Sequence, residues 1–213
     1  MKTTALVTLV SILTSAAAAA AEPAQKNSKK KEPPKFEIKF AKEFADNIAA
    51  ANRTHINSDG TQYTFLLPLD YKLLSDVEGK RVFAEKTDGS CSLTVTFYPP
   101  PKLEADQVFD HDYTRWRIFD HCGDEANITE ETRTFAIGTE ALQFDVSWRT
   151  VAKLPLQSRI IMIHQPQATI ELRLLGNPKS FKDDIYALAD LLASMQKALP
   201  GQTIEINRLS NSI

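Results

Sequence analysis

Residues 91–122 read CSLTVTFYPPPKLEADQVFDHDYTRWRIFDHC, and the period of their apolar residues changes once, at the three prolines 99–101. Before the prolines, Leu93, Val95 and Phe97 alternate with Ser92, Thr94 and Thr96, the period of two that sends successive side chains of a strand to opposite faces. After them, Ala105, Phe109, Tyr113 and Trp116 recur at intervals of four, four and three, with Asp106, Asp110, Thr114 and Arg117 on the other side. That spacing predicts an amphipathic helix from about Leu103 to Asp120, closed by Cys122 and Gly123 because glycine accepts the left-handed conformation of a helix end. The reading places Trp116 in the core and His111 with Asp112 toward solvent.

Upstream, residues 81–86 form a second strand, joined to 92–98 by Thr87-Asp88-Gly89-Ser90, whose Asp-Gly pair supplies the positive φ of a tight hairpin. Earlier still, Tyr63, Phe65 and Leu67 share one face of a strand that Pro68 ends. Residues 36–51 fit two templates: Phe36, Ile38 and Phe40 alternate, whereas Phe40, Phe44, Ile48 and Ala51 nearly follow a helical stripe, and a helix from about Phe40 is expected. Downstream, turn signals at Gly138, Pro155 and Gln165-Pro166 divide residues 132–175 into four strands of a meander. The third of these, SRIIMIHQ, is apolar on both faces except at His164, as in a strand covered on both sides. Phe181, Ile185, Leu188, Leu192, Met195 and Leu199 then mark a helix, with Ser180 and Asp183 as a capping box and Pro200-Gly201 as its stop. Thr203 to Asn207 would add a short edge strand. The expected fold is α+β: an antiparallel sheet of six to seven strands with flanking helices.

The element order, a first strand ending FLLPLDY at 65–71 and a last helix ending LLASMQ at 191–196, resembles the PsbP-like family over residues 61–197. That resemblance implies a sandwich-like fold serving as a binding or assembly module, without a shared catalytic site.

The first 21 residues read as a cleaved signal peptide, with Lys2 before an apolar run and then polyalanine. The strongly apolar part is shorter than the roughly 20 residues of a spanning helix. Residues 22–35, rich in Pro and Lys, bury too little apolar surface to offset ordering and are expected to be a disordered tether, with residues 36–213 as one domain. Lys26, Lys29, Lys30 and Lys31 could make a weak contact with an anionic surface, against the alternative of plain solvation. The expected address is periplasmic or secreted. A formal net charge of -2 leaves no electrostatic footprint for nucleic acid.

The cysteines fit export. The 91–98 strand and the 104–120 helix each span about 25 Å, so an antiparallel return would bring Cys122 over Cys91. A Cys91–Cys122 disulfide is expected in an oxidising compartment, closing a loop of about 31 residues at roughly 3 to 4 kcal/mol of stabilisation. Two free buried thiols are the alternative.

Catalytic groupings are missing from the pattern. The 7 glycines include no G-x-S-x-G elbow and no phosphate loop, and the cysteines form no C-x-x-C. His111 and His121 stand about 15 Å apart along a helix, too far to share a metal bound at about 2 Å. No cofactor, metal or catalytic residue is therefore expected. The reading is an exported, non-enzymatic binding or assembly module with a protein partner in the cell envelope. The alternative is a small-ligand binder or enzyme whose site assembles from His164, His111 and Arg149.

Overall fold

Among the described residues, alternating side chains drive eleven strands, and two further segments form helices. A computed structural model describes residues 36–45, 48–103, 109–123, 125–202 and 204, all within the unit 34–213. The expected signal peptide (residues 1–21), the expected tether (residues 22–35) and all of the expected 203–207 strand except Ile204 lie outside the described residues.

In chain order the strands are β1 (Phe36–Ala45), β2 (Ile48–Ser58), β3 (Thr61–Leu67), β4 (Tyr71–Asp76), β5 (Arg81–Lys86) and β6 (Cys91–Tyr98). Helix α1 (His111–Cys122) leads to β7 (Asn127–Ala136), β8 (Thr139–Arg149), β9 (Pro155–His164) and β10 (Thr169–Gly176). Helix α2 (Phe181–Ser194) and β11 (Gln196–Ala198) follow. One antiparallel sheet has the order β1-β2-β3-β11, the other β4-β5-β6-β10-β9-β8-β7. The 81–98 hairpin and the four-strand meander both form, and they join because β10 pairs along the whole of β6.

Strand β9 shows how the layers stack. Its Ile161 and Ile163 belong to an apolar cluster with Phe65, Leu93, Leu172 and Leu188, filling the space between the two sheets and under α2. The intervening Ile160 and Met162 join Phe144, Ile118 and Cys122 in a second cluster, under α1. A strand covered on both faces needs the near-continuous apolar run that SRIIMIHQ supplies.

The structure corrects four expectations. Residues from Phe40 onward form a β hairpin rather than a helix, because Phe36 and Ile38 pack on the inter-sheet core while pairing Ser58 and Ile56 of β2. Strand β4, unforeseen, pairs with β5. Helix α1 starts at His111, after non-helical Phe109 and Asp110, and the Asp110 carboxylate accepts the Tyr113 N–H at 2.8 Å as N-cap; residues 104–108 of the expected helix lie outside the described residues. Its buried face is therefore Thr114, Ile118 and Cys122, and Trp116 is 55% exposed instead of filling the core. Helix α2 ends at Ser194, whose hydroxyl accepts the Leu66 N–H at 2.9 Å, and Ser180 makes no side-chain cap bond; Asn177 accepts the first N–H groups instead.

The expected Cys91–Cys122 bridge is also corrected: both are free buried thiols. Cys91 alternates in step with Leu93, Val95 and Phe97 and so points into the inter-sheet cluster, whereas Cys122 points into the cluster under α1. The helix does fold back along the sheet, but over the other face. Unfolding the unreduced chain should expose two thiols to a labelling reagent; mass spectrometry finding none labelled would contradict this arrangement.

Candidate functional site

The segment from Phe109 to Cys122 carries the densest chemistry, and the structure spreads it along the outer face of the seven-stranded sheet. At its start, Glu131 of β7 receives His111 Nδ1 at 3.0 Å and Arg115 at 2.9 Å, tying the helix to the sheet edge. At its end, His121 Nε2 lies 3.0 Å from the Tyr98 hydroxyl and 3.7 Å from Glu171. Glu171 is 2% exposed and accepts a hydrogen bond from Arg173 at 2.6 Å. The Arg117 guanidinium stacks 4.1 Å from the centre of the Tyr98 ring. Burial, then the Arg173 charge, lowers the His121 pKa, and burial pushes Tyr98 up to about 12. A neutral imidazole, a protonated phenol and an ion-paired carboxylate make a cross-braced seam. The adjacent Cys122 thiol is pushed to about 11, chiefly by burial, so it is not an activated nucleophile.

The trio proposed from the sequence is only partly brought together. Phe109 makes ring contacts with both His164 and His111, at 5.8 and 6.4 Å between centroids. Arg149 pairs with Pro155 at the opposite end of β9 from His164, some 30 Å away at roughly 3.3 Å per residue. His164 bonds Thr169 Oγ1 through Nδ1 at 2.9 Å, and burial lowers its pKa. A buried imidazole held by a threonine packs as a core residue. Among the described residues, no group of three or more His, Cys, Asp or Glu could hold a metal ion, and no helix is long and apolar enough to cross a membrane.

A second polar cluster lies beneath α2. Asp184, its side chain 1% exposed, receives the Lys86 ammonium at 2.7 Å. Nearby, the Tyr71 hydroxyl meets the Cys91 sulfur at 3.0 Å. Burial raises the pKa of both Tyr71 and Cys91, and the Asp184 charge adds to each rise.

A polar surface that the sequence reading missed lies on β1, β2 and β3, where a helix from about Phe40 was expected in place of the β1–β2 hairpin. Pairing sets Glu37, Asn57 and Gln62 in one row across β1, β2 and β3, and Lys39, His55 and Thr64 in the next. These rows face away from the inter-sheet core, since Ile56, Tyr63 and Phe65 point inward. A hollow of about 350 Å³ lies here, lined by Glu37, Lys39, His55, Asn57, Gln62 and Ile204 among others. Burial, then Arg53, lowers the His55 pKa. The lining mixes both charges, two amides and an imidazole with Tyr63 and Ile56, groups suited to hydrogen bonding. The alternation of Phe36, Ile38 and Phe40, set aside for the helical stripe, was a signal for β1 but not for its alignment with β2 and β3.

No family model matches the chain, and no curated protein matches its sequence. Among solved structures, the chain is similar to a cyanobacterial PsbP, CyanoP from Synechocystis sp. PCC 6803, with TM-score 0.55, 13% identity, and coverage of 73% of this chain and 96% of that one. It is less similar to the Ran-binding protein Mog1p of Saccharomyces cerevisiae, with TM-score 0.47, 9% identity, and coverage of 62% and 88%. LpqN of Mycobacterium tuberculosis, involved in cell envelope biogenesis, gives TM-score 0.36, 10% identity, and coverage of 76% and 91%. The likeness to CyanoP establishes a PsbP-like α+β fold, and at that identity it speaks to fold alone.

Proposed function

We propose that the protein is an exported, non-enzymatic binding module that assembles with a protein partner in the cell envelope through the outer face of the four-stranded sheet. The observation that carries this reading is the hollow of about 350 Å³ on that face, lined by Glu37, Lys39, His55, Asn57 and Gln62. Its hydrogen-bonding groups suit a polar protein contact. The leader pattern of residues 1–21 supports export, and the proline- and lysine-rich stretch 22–35 would let the module reach its partner.

A photo-crosslinker placed at Gln62, with exposed Lys182 of α2 as control position, tests this in native cells. Gln62 should give a discrete adduct with a protein of the envelope fraction, and Lys182 should not. Equal adduct patterns from the two positions, or no heterotypic adduct at Gln62, would sink the reading.

A further inference from the structure

Strand β1 is an edge of its sheet: among the described residues only β2 pairs with it. Proteins usually blunt such an edge, because its unpaired N–H and C=O groups template pairing with another chain. Here the edge is ten residues long and carries no proline. The irregularity near the hairpin end adds a residue to β2, where Ala51 and Ala49 oppose Glu43 and Phe44, so β1 stays regular. Its Phe40 is 40% exposed and its Phe44 is 62% exposed. Phe40 pairs with Thr54 beside β3, whereas Phe44 lies beyond the Asn52–Leu67 pair at which β3 ends, and neither ring is buried.

The order of residues along β1 says what covers them. Written around Ala41, the strand reads Ile38-Lys39-Phe40-Ala41-Lys42-Glu43-Phe44. Laid antiparallel on a copy of itself with Ala41 facing Ala41, it sets Lys39 against Glu43, Phe40 against Lys42 and Ile38 against Phe44, each pair occurring twice. The two ion pairs fall on the outer sheet face, and the Phe40 and Phe44 rings gain cover on the other. Directly opposed opposite charges and aromatic–aliphatic pairs stabilise antiparallel strands, and a lysine over a phenylalanine ring adds a cation–π contact.

Neighbouring registers lose this match. A shift of one residue in one direction opposes Lys39 to Lys42, and in the other leaves Lys39 facing Phe44. Shifts of two oppose Glu37 to Glu43, or Lys42 to Lys42. Glu43 keeps its Arg53 contact, at 2.6 Å, while facing Lys39 of the other copy.

We propose that two copies of this chain associate about a two-fold axis through β1, pairing antiparallel around Ala41 to join their four-stranded sheets into one of eight strands. An isologous contact of this kind closes on itself and forms a dimer rather than a fibre. It leaves the Glu37–Asn57–Gln62 rows open on a continuous, doubled surface.

Sedimentation velocity of the purified exported chain across a concentration series reads the association directly. A monomer–dimer equilibrium with a dissociation constant in roughly the micromolar range is expected for one strand pair. Lys39→Glu and Glu43→Lys should each raise that constant at least about tenfold, since each replaces two attractions with two repulsions. Mixing the two variants should return it close to the original value, because the reversed charges then oppose one another across the axis. This recovery also answers the objection that Glu43→Lys disturbs Arg53. A chain that stays monomeric to about 500 μM overturns the proposal. So does a dimer that ignores both reversals, or a mixture that fails to recover. Partner binding is read separately, by heterotypic adducts at Gln62, so either reading can fail alone.

Discussion

Replacing Lys86 with methionine is expected to lower the unfolding free energy by about 3 kcal/mol, the lower end of what breaking one half of a buried ion pair costs. The Asp184 side chain is 1% exposed, and its Oδ1 takes the Lys86 ammonium at 2.7 Å while its Oδ2 has no hydrogen-bond partner. Without Lys86 the carboxylate stays buried under α2 beside the Tyr71 and Cys91 groups, neither of which carries positive charge. The position of Asp184 in the first turn of α2 softens the loss, because a helix N-terminus favours negative charge. The double variant Lys86→Met with Asp184→Leu should recover most of the stability, since the desolvation cost goes with the charges. Urea denaturation of the three proteins measures this. A single variant within about 1 kcal/mol of the original chain would show that water reaches Asp184.

The second large effect separates two neighbours on α1. Ile118→Ala should destabilise by about 2 to 5 kcal/mol, whereas Trp116→Ala should cost less than about 1 kcal/mol. Ile118 is 1% exposed against Phe144, Ile160 and Met162, so its truncation leaves a cavity beneath the helix. Trp116 is 55% exposed, and its contacts are the Tyr113 ring and the Arg117 guanidinium on the helix surface. Their ranking by thermal or chemical melts is the reverse of what bulk alone would suggest. If Trp116 proved the costlier loss, α1 would have to be rotated from the position described.

Ser92 to Tyr98, Leu142 to Trp148 and Ile170 to Leu174 could be read as strands because each has one consistent inward face, so local alternation and tertiary packing agree. Asp88-Gly89 could be read as a hairpin because the backbone needs positive φ there, and Gly89 has φ of 71°. The same logic failed at α1. Phe109, Tyr113 and Trp116 made a convincing stripe, but Phe109 precedes the helix at His111, and the face turned to the sheet is Thr114, Ile118 and Cys122. A short helix capped by Asp110 is set by one carboxylate, which a stripe summed over five turns cannot register.

The candidate surface was less legible still. Glu37, His55 and Gln62 are far apart in the chain, and nothing in their spacing says that β1, β2 and β3 align them. Phe40, Phe44 and Ile48 have the spacing of a buried helical face, yet all are exposed on a β hairpin. Their spacing assigned them to a buried helical stripe, whereas pairing of β1 with β2 puts them in a hairpin.

Period, turn chemistry and the order of segments were enough to specify an α+β chain with an antiparallel sheet, because these are properties of neighbouring residues and their backbone preferences. Which face each element covers was settled only by long-range packing. Cys91 and Cys122 show the difference, since both are buried and one helix does return along the strand, yet the two thiols belong to clusters on opposite faces of the seven-stranded sheet. A helix can close over either side of a sheet at the same cost in chain length, so the choice rests on which side offers the apolar surface that Ile118 must fill.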